Sequence, residues 1–349
     1  MDEFLIYGAN GYTGRLITRL AAEKGMHPVL AGRNRQSVEQ LAAEYDLKSV
    51  VFGLDQPADI DNVLSKFSLI LNCAGPFSRT AMPVIESCLR TSTHYLDITG
   101  EISVFESIAS HDAAAADRNI MLLPGVGFDV VPSDCLALHL KQRLPSATKL
   151  TIAILGVGRI SHGTATTLLE NLDGGGMIRR GGNLTIVPAA WKTREIDFGV
   201  QHVTAVTIPW GDVATAFYST GIKNIEVYAA IPAPLRNSMR LSRHFGWLLS
   251  SAPIQRLLKF GVDSQPPGPS DAERANGSSI IWGEVENIDG EKRSARLYGP
   301  EGYTLTALAA LEIVRRVLSG EFKPGFQTPA LAYGSDLILS VPGTRFEDL

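Results

Sequence analysis

Phe4-Leu5-Ile6-Tyr7-Gly8-Ala9-Asn10-Gly11-Tyr12-Thr13-Gly14 is the stretch whose reading decides the fold of this chain. Four apolar residues stop at a glycine, and from Tyr12 onward the apolar residues return with the period of a helix, over 12–24. A strand that turns directly into a helix start leaves backbone N–H groups and the positive end of the helix dipole facing one point, which is a seat for an anion. The three glycines sit where such a seat needs them. Gly8 permits the tight turn, Gly11 lets backbone approach a pyrophosphate, and Gly14 lets the helix pack close to the strand. The spacing is GxxGxxG, and it predicts a dinucleotide-binding turn with Gly8, Asn10, Gly11, Tyr12, Thr13 and Gly14 as contact residues.

Working outward, short apolar runs at 4–7, 29–31, 49–52, 69–72, 95–96 and 120–123 alternate with helical patterns at 12–24, 35–45, 81–90 and 102–117. That alternation predicts a doubly wound parallel sheet of the Rossmann kind, an α/β fold. After Pro132 the texture changes to strands linked by longer Gly- and Pro-rich loops, so a second, mixed α+β domain is expected. The expected division is a nucleotide domain over 1–130, completed by 300–349, and a substrate or dimerisation domain over 131–299. The run 173–182, rich in glycine, reads as a mobile loop, and 265–270 as an irregular connection. Residues 279–286 and 294–298 read as a hairpin turning at Asp289-Gly290, and 301–318 as a long helix.

Composition narrows the function. The chain has 349 residues, a formal net charge of −4 and only three cysteines, Cys73, Cys88 and Cys135, with no CxxC pair. This gives no global attraction to nucleic acid or anionic lipid, no disulfide framework and no metal site. No apolar stretch approaches the ~18 residues of a spanning helix. With no charged segment before the first strand, a cytoplasmic protein is expected.

The second strand ends in Ala31-Gly32-Arg33-Asn34-Arg35 rather than in the carboxylate that binds a ribose 2′-hydroxyl. A guanidinium there suits a 2′-phosphate, so NADP is favoured over NAD, with Arg33 first, Arg35 as helper and Asn34 beside them. Asp55 is open between an adenine contact and the cap of a helix after Pro57. The fourth strand ends Asn72-Cys73-Ala74-Gly75-Pro76-Phe77, where an open α/β sheet holds its ligand. Ala74 and Gly75 are therefore expected along the nicotinamide ribose, and Cys73 is weighed as a nucleophile against a buried small thiol.

Hydride transfer needs a proton donor, and the ends of the fifth and sixth strands offer Tyr95, Asp97, Glu101 and Asp129. For each of these acids the competing reading is a loop or helix cap. Short-chain dehydrogenase chemistry, which shares GxxGxxG, needs YxxxK, and no tyrosine here has a lysine four residues on.

GANGYTGR, AGRNR, NCAGPF, HYLDITGE, PGVGFDVVPSD, GEVEN, GPEGYTLTA and TPALAYG together resemble the saccharopine dehydrogenase-like oxidoreductase family, including its trans-acting enoyl reductase branch. The resemblance implies an N-terminal Rossmann domain completed by the C-terminal segment. It implies nucleotide contacts at Gly8, Gly11, Gly14 and Arg33, with the turn at Cys73, Ala74, Gly75, Pro76 and Phe77 beside the nicotinamide. His162 stands where many members have a small residue.

No carboxylate occurs between Glu226 and Asp263, and arginines alternate there with Leu, Phe and Trp. Residues 236–260 thus read as a basic amphipathic segment suited to a lipid, an acyl carrier or ordinary packing. Three readings stay open. The first is an NADP-dependent oxidoreductase acting on a C=C or C=N bond of a small molecule. The second is an enoyl reductase on a lipid or polyketide-like chain, and the third is a non-catalytic NADP-binding sensor or scaffold. A homodimer is expected from base rates alone.

Overall fold

Leu5–Tyr7 (β1) is buried along its whole length, as a central parallel strand covered on both faces must be. The computed structural model describes residues 3–156, 175–233, 236–237, 239 and 268–349. They form two units: residues 1–131 with 303–332, and residues 132–302 with 333–349.

In the first unit β1 is followed by α1 (Tyr12–Glu23), β2 (Val29–Gly32), α2 (Arg35–Glu44), β3 (Ser49–Val51), α3 (Pro57–Leu64) and β4 (Leu69–Asn72). Then come α4 (Phe77–Thr91), β5 (His94–Asp97), α5 (Ile102–Ala109), α6 (Asp112–Asp117) and β6 (Met121–Leu123). The sheet order is β3-β2-β1-β4-β5-β6, extended by β15 (Gly325–Phe326), and every pairing is parallel. The order reverses between β1 and β4, and their carboxyl ends open the crevice where such sheets bind ligands. Each helix buries one stripe on the sheet: Ile17 and Ala21 from α1, Val38 and Leu41 from α2, Val84 and Ile85 from α4.

Two expected helices differ. The single helix over 102–117 is broken at Ser110 and His111, and the break frees Asp112 to accept the N–H of Phe326 on β15 at 2.8 Å. The helix expected at 81 begins at Phe77, because a side chain described below caps it there.

The second unit opens with α7 (Val131–Arg143) and β7 (Lys149–Leu155), followed by β8 (Gly176–Arg180), β9 (Asn183–Val187), β10 (Thr193–Asp197) and β11 (His202–Thr207). Next come α8 (Asp212–Thr220), β12 (Asn224–Ala230), α9 (Asp271–Asn276), β13 (Ser278–Glu286) and β14 (Lys292–Pro300), with β16 (Arg345–Asp348) at the end of the chain. The mixed sheet runs β10-β11-β12-β7-β13-β14-β16, with the β8–β9 hairpin joined to β12. α7 covers one face so closely that a Cβ on Gly283 would stand 2.6 Å from Leu140 Cδ1. The other face carries an apolar cluster with Phe198, Tyr228 and Trp282. β13 and β14 are the expected hairpin, turning at Asp289-Gly290 with Gly290 at φ 83.

Two further expectations are corrected in this unit. Gly176–Arg180, within the run expected to be a loop, is strand β8. Ile178 and Arg179 are buried, Arg179 Nε donates to Val213 O at 2.8 Å, and Gly181 and Gly182 at positive φ make the tight hairpin turn. The tail 333–349 does not complete the first unit. β16 pairs with β14, and Glu347 accepts from Tyr298 Oη at 2.6 Å and Arg296 Nη1 at 3.2 Å. Of the 300–349 segment, residues 303–332 belong to the first unit through α10 (Gly302–Leu318), β15 and the start of α11 (Pro329–Tyr333).

His162, the whole of 240–260 and residues 265–267 lie outside the described residues. Among the described residues no helix is long and apolar enough to cross a membrane, and no group of three or more His, Cys, Asp or Glu could hold a metal ion.

Candidate nucleotide and proton-transfer site

The turn after β1 is built around absent side chains. Gly8 has φ 78, and a Cβ on it would stand 2.7 Å from Ala74 N on the β4 turn. A Cβ on Gly14 would stand 2.4 Å from Gly8 O, so the first turn of α1 lies directly on the strand end. Gly11 is exposed, and its Cβ position meets only Gly8 O, at 3.3 Å. Gly11, the N-cap of α1, has no side chain to offer the free N–H groups, and no acid lies in the helix's first turn. The helix dipole therefore faces the crevice with no acid of its own first turn to offset it, an arrangement that fits a pyrophosphate. Tyr12 and Thr13 are half-buried there, and the Tyr12 ring meets Tyr303 of α10 edge to face at 5.0 Å.

Asn10 reaches across to the end of β2, its Oδ1 3.1 Å from where a Cβ on Gly32 would sit. Arg33 follows, exposed and without an ion pair among the described residues. Arg33 and Asp55 both act on the Tyr7 hydroxyl, whose pKa is raised mainly by burial and lowered by the Arg33 charge. Arg35 is drawn away to Glu39 one turn on, at 2.8 Å, so its helper role has no geometric support. Asn34 caps α2 by accepting from Ser37 N at 3.1 Å. Asp55 does not cap α3, whose N-cap is Gln56 without a side-chain bond.

On the β4 side, Asn72 Oδ1 accepts from Ala74 N at 3.0 Å and holds the Cys73-Ala74-Gly75-Pro76 turn, in which Gly75–Pro76 is cis. Cys73 is half-buried, and burial followed by the Asp97 charge pushes its thiol far up, which keeps it from being a thiolate nucleophile.

The four acid–base candidates separate by burial and partners. Glu101 spends both carboxylate oxygens on α4, accepting from Phe77 N at 2.8 Å and Ser78 N at 3.0 Å. It is the cap that starts the helix early. Tyr95 and Asp97 are fully buried and bonded to each other at 2.8 Å. Asp97 also accepts from Thr99 N and Gly125 N, and burial raises its pKa to about 6 against these bonds. Asp129, after β6, is half-buried and has no hydrogen-bond partner among the described residues. Its carboxyl lies against Gly100, where a Cβ would stand 2.8 Å from Oδ2. Desolvation raises its pKa to about 6.

α10 supplies residues that the sequence reading did not assign. Besides Tyr303, Thr306 Oγ1 accepts from Phe128 N at 3.0 Å and packs on Gly127, holding the turn that carries Asp129. Both lie in the GPEGYTLTA stretch, but nothing local in that stretch tells which turn it meets.

Residues 4–123 match the sequence profile of the saccharopine dehydrogenase NADP-binding domain. A trans-acting enoyl reductase of Mycobacterium ulcerans is 32% identical over 151 residues, covering 40% of this chain and 36% of that protein. A human saccharopine dehydrogenase-like oxidoreductase is 24% identical over 160 residues, covering 40% and 37%. The matches thus span little more than a third of the relatives' own length. The apo glutamate-forming saccharopine dehydrogenase of Saccharomyces cerevisiae shares the fold over 100% of both chains, with a TM-score of 0.66 at 11% identity.

Proposed function

We propose that the protein is an NADP-dependent oxidoreductase that reduces a C=C or C=N bond of a small molecule, with Asp129 as its proton donor. The observation that carries this reading is a half-buried carboxyl, without a hydrogen-bond partner among the described residues, at the carboxyl edge of a sheet that matches an NADP-binding domain. The α1 turn at Gly8, Gly11 and Gly14 takes the pyrophosphate, Arg33 the 2′-phosphate, and the 73–76 turn the nicotinamide ribose. NADPH, when bound, supplies a hydride equivalent to one atom of the double bond. The other atom needs a proton, and Asp129 gives its own and regains one from water. A pKa of about 6 suits that duty near neutrality. Tyr95 and Asp97 are too buried to touch substrate, and Glu101 is committed to its helix.

The 32% identity to a trans-acting enoyl reductase favours a conjugated C=C in an acyl chain as the reducible bond. Loss of NADPH absorbance with a panel of enoyl thioesters and of imines tests the reading. Turnover of one class, falling as pH rises through about 6 and abolished in Asp129→Asn, supports it. Tight NADPH binding with no transfer to any acceptor would favour a non-catalytic sensor instead.

A further inference from the structure

Behind the carboxyl edge lies a set of buried polar groups that the proposed reaction does not use. Asn72 Nδ2 donates to Tyr95 Oη at 3.3 Å, and Tyr95 Oη donates to Asp97 Oδ2 at 2.8 Å. Asp97 Oδ1 accepts from Thr99 N at 3.0 Å and from Gly125 N at 2.9 Å, and its backbone carbonyl accepts from Val126 N at 2.7 Å. All three side chains are fully buried. Such a set is costly to bury unless it is satisfied, and here it is.

We propose that Asp97 is a positioning residue for this reaction, seating the Asp129 carboxyl against Gly100 by gripping both turns that frame it. The inference rests on Asp129 being the proton donor. Thr99, whose N–H Asp97 holds, is one residue before Gly100, and Gly125, held by the same oxygen, opens the turn that ends at Asp129. The fit between the two turns is tight, since Gly100 has no room for a Cβ beside Asp129 Oδ2. Three donors converge on Asp97, so its place calls for acceptors on both oxygens. An amide keeps one of them: in Asp97→Asn, Oδ1 still takes both backbone N–H groups while the NH2 donates to Tyr95 Oη. Alanine keeps none, and both turns are released.

The test follows the 13C carboxyl resonance of Asp129 with pH in the full chain, assigned by its absence from Asp129→Asn. In the unaltered protein it titrates near 6. In Asp97→Ala the carboxyl leaves its desolvated seat, and its proton affinity falls about tenfold or more, toward the ordinary 3.8. In Asp97→Asn it stays near the original value, the rescue that a seating role requires. NADPH affinity, read by fluorescence, stays within about threefold in Asp97→Asn, which keeps the contact to Tyr95 and through it Asn72 and the 73–76 turn. An unchanged Asp129 titration in folded Asp97→Ala would overturn the proposal. Should that variant not fold, Asp97→Ser, too short to reach both turns, carries the same comparison. Failure of the wider reading shows separately, as an unaltered protein that neither binds NADPH nor loses turnover in Asp129→Asn.

Discussion

Replacing Asp129 by Asn stabilises the folded protein above neutrality while removing the proposed proton donor. The carboxyl has its pKa raised from 3.8 to about 6 by desolvation, with no hydrogen bond from the described residues to offset it. A carboxyl whose folded pKa lies above its unfolded value costs the fold nothing when protonated. The cost begins as pH rises past about 4 and is complete above about 6. Fully charged, that displacement is worth about 3 kcal/mol. Water reaches part of the group, and screening reduces the figure to about 2 kcal/mol. An amide never ionises, so Asp129→Asn gains about 1.5 kcal/mol more at about pH 8 than at about pH 4. Any packing or hydrogen-bonding change brought by the amide is common to both conditions and cancels. Urea unfolding followed by far-ultraviolet circular dichroism, at both pH values and for both proteins, measures the difference. An effect equal at the two pH values, or larger at the acidic one, would refute the desolvated seat of Asp129 and the proton donor with it.

The same geometry makes sharper demands elsewhere. Gly8→Ala places a Cβ on a residue at φ 78 and 2.7 Å from Ala74 N, so it destabilises by about 2–4 kcal/mol and weakens NADPH binding at least about tenfold, read by thermal unfolding and cofactor fluorescence. Glu101→Ala removes two charge-assisted bonds from the start of α4 and costs about 1–2 kcal/mol in a denaturant titration, while the pH dependence of turnover keeps its midpoint. Gly100→Ala displaces the Asp129 carboxyl without occupying the α1 turn. Its turnover falls about 10- to 100-fold with little change in NADPH affinity, a split that steady-state kinetics with a binding titration resolves.

The first unit was legible because its signals are local. Strand, glycine turn and helix follow one another within Phe4–Gly14, and the β2 end at Arg33 is read from neighbouring residues. Asn34 and Arg35, expected as cofactor contacts, instead make local contacts that were not anticipated, the cap of α2 and a pair with Glu39. The acids were found by residue type and then sorted only by long-range contacts. Glu101 caps a helix that begins 24 residues earlier, and Asp97 holds Gly125 from 28 residues away. No spacing rule distinguishes these from Asp129, which is set apart by having no such partner among the described residues. Glycine density misled at Gly176–Arg180, where an arginine counted as polar is buried against carbonyl oxygens. The tail 333–349 misled for a similar reason. Its strand pairs with β14 through registers that involve residues about 50 positions away, such as Arg296 with Glu347.

The most direct test of the account is a parallel fluorescence titration of the protein and of Arg33→Ala with NADPH and NADH. The account predicts tight, NADPH-preferring binding, and in the variant a loss of about 1.5–3 kcal/mol for NADPH with little change for NADH. Equal affinity for the two cofactors, or an Arg33→Ala variant that binds NADPH as well as the unaltered protein, would contradict it.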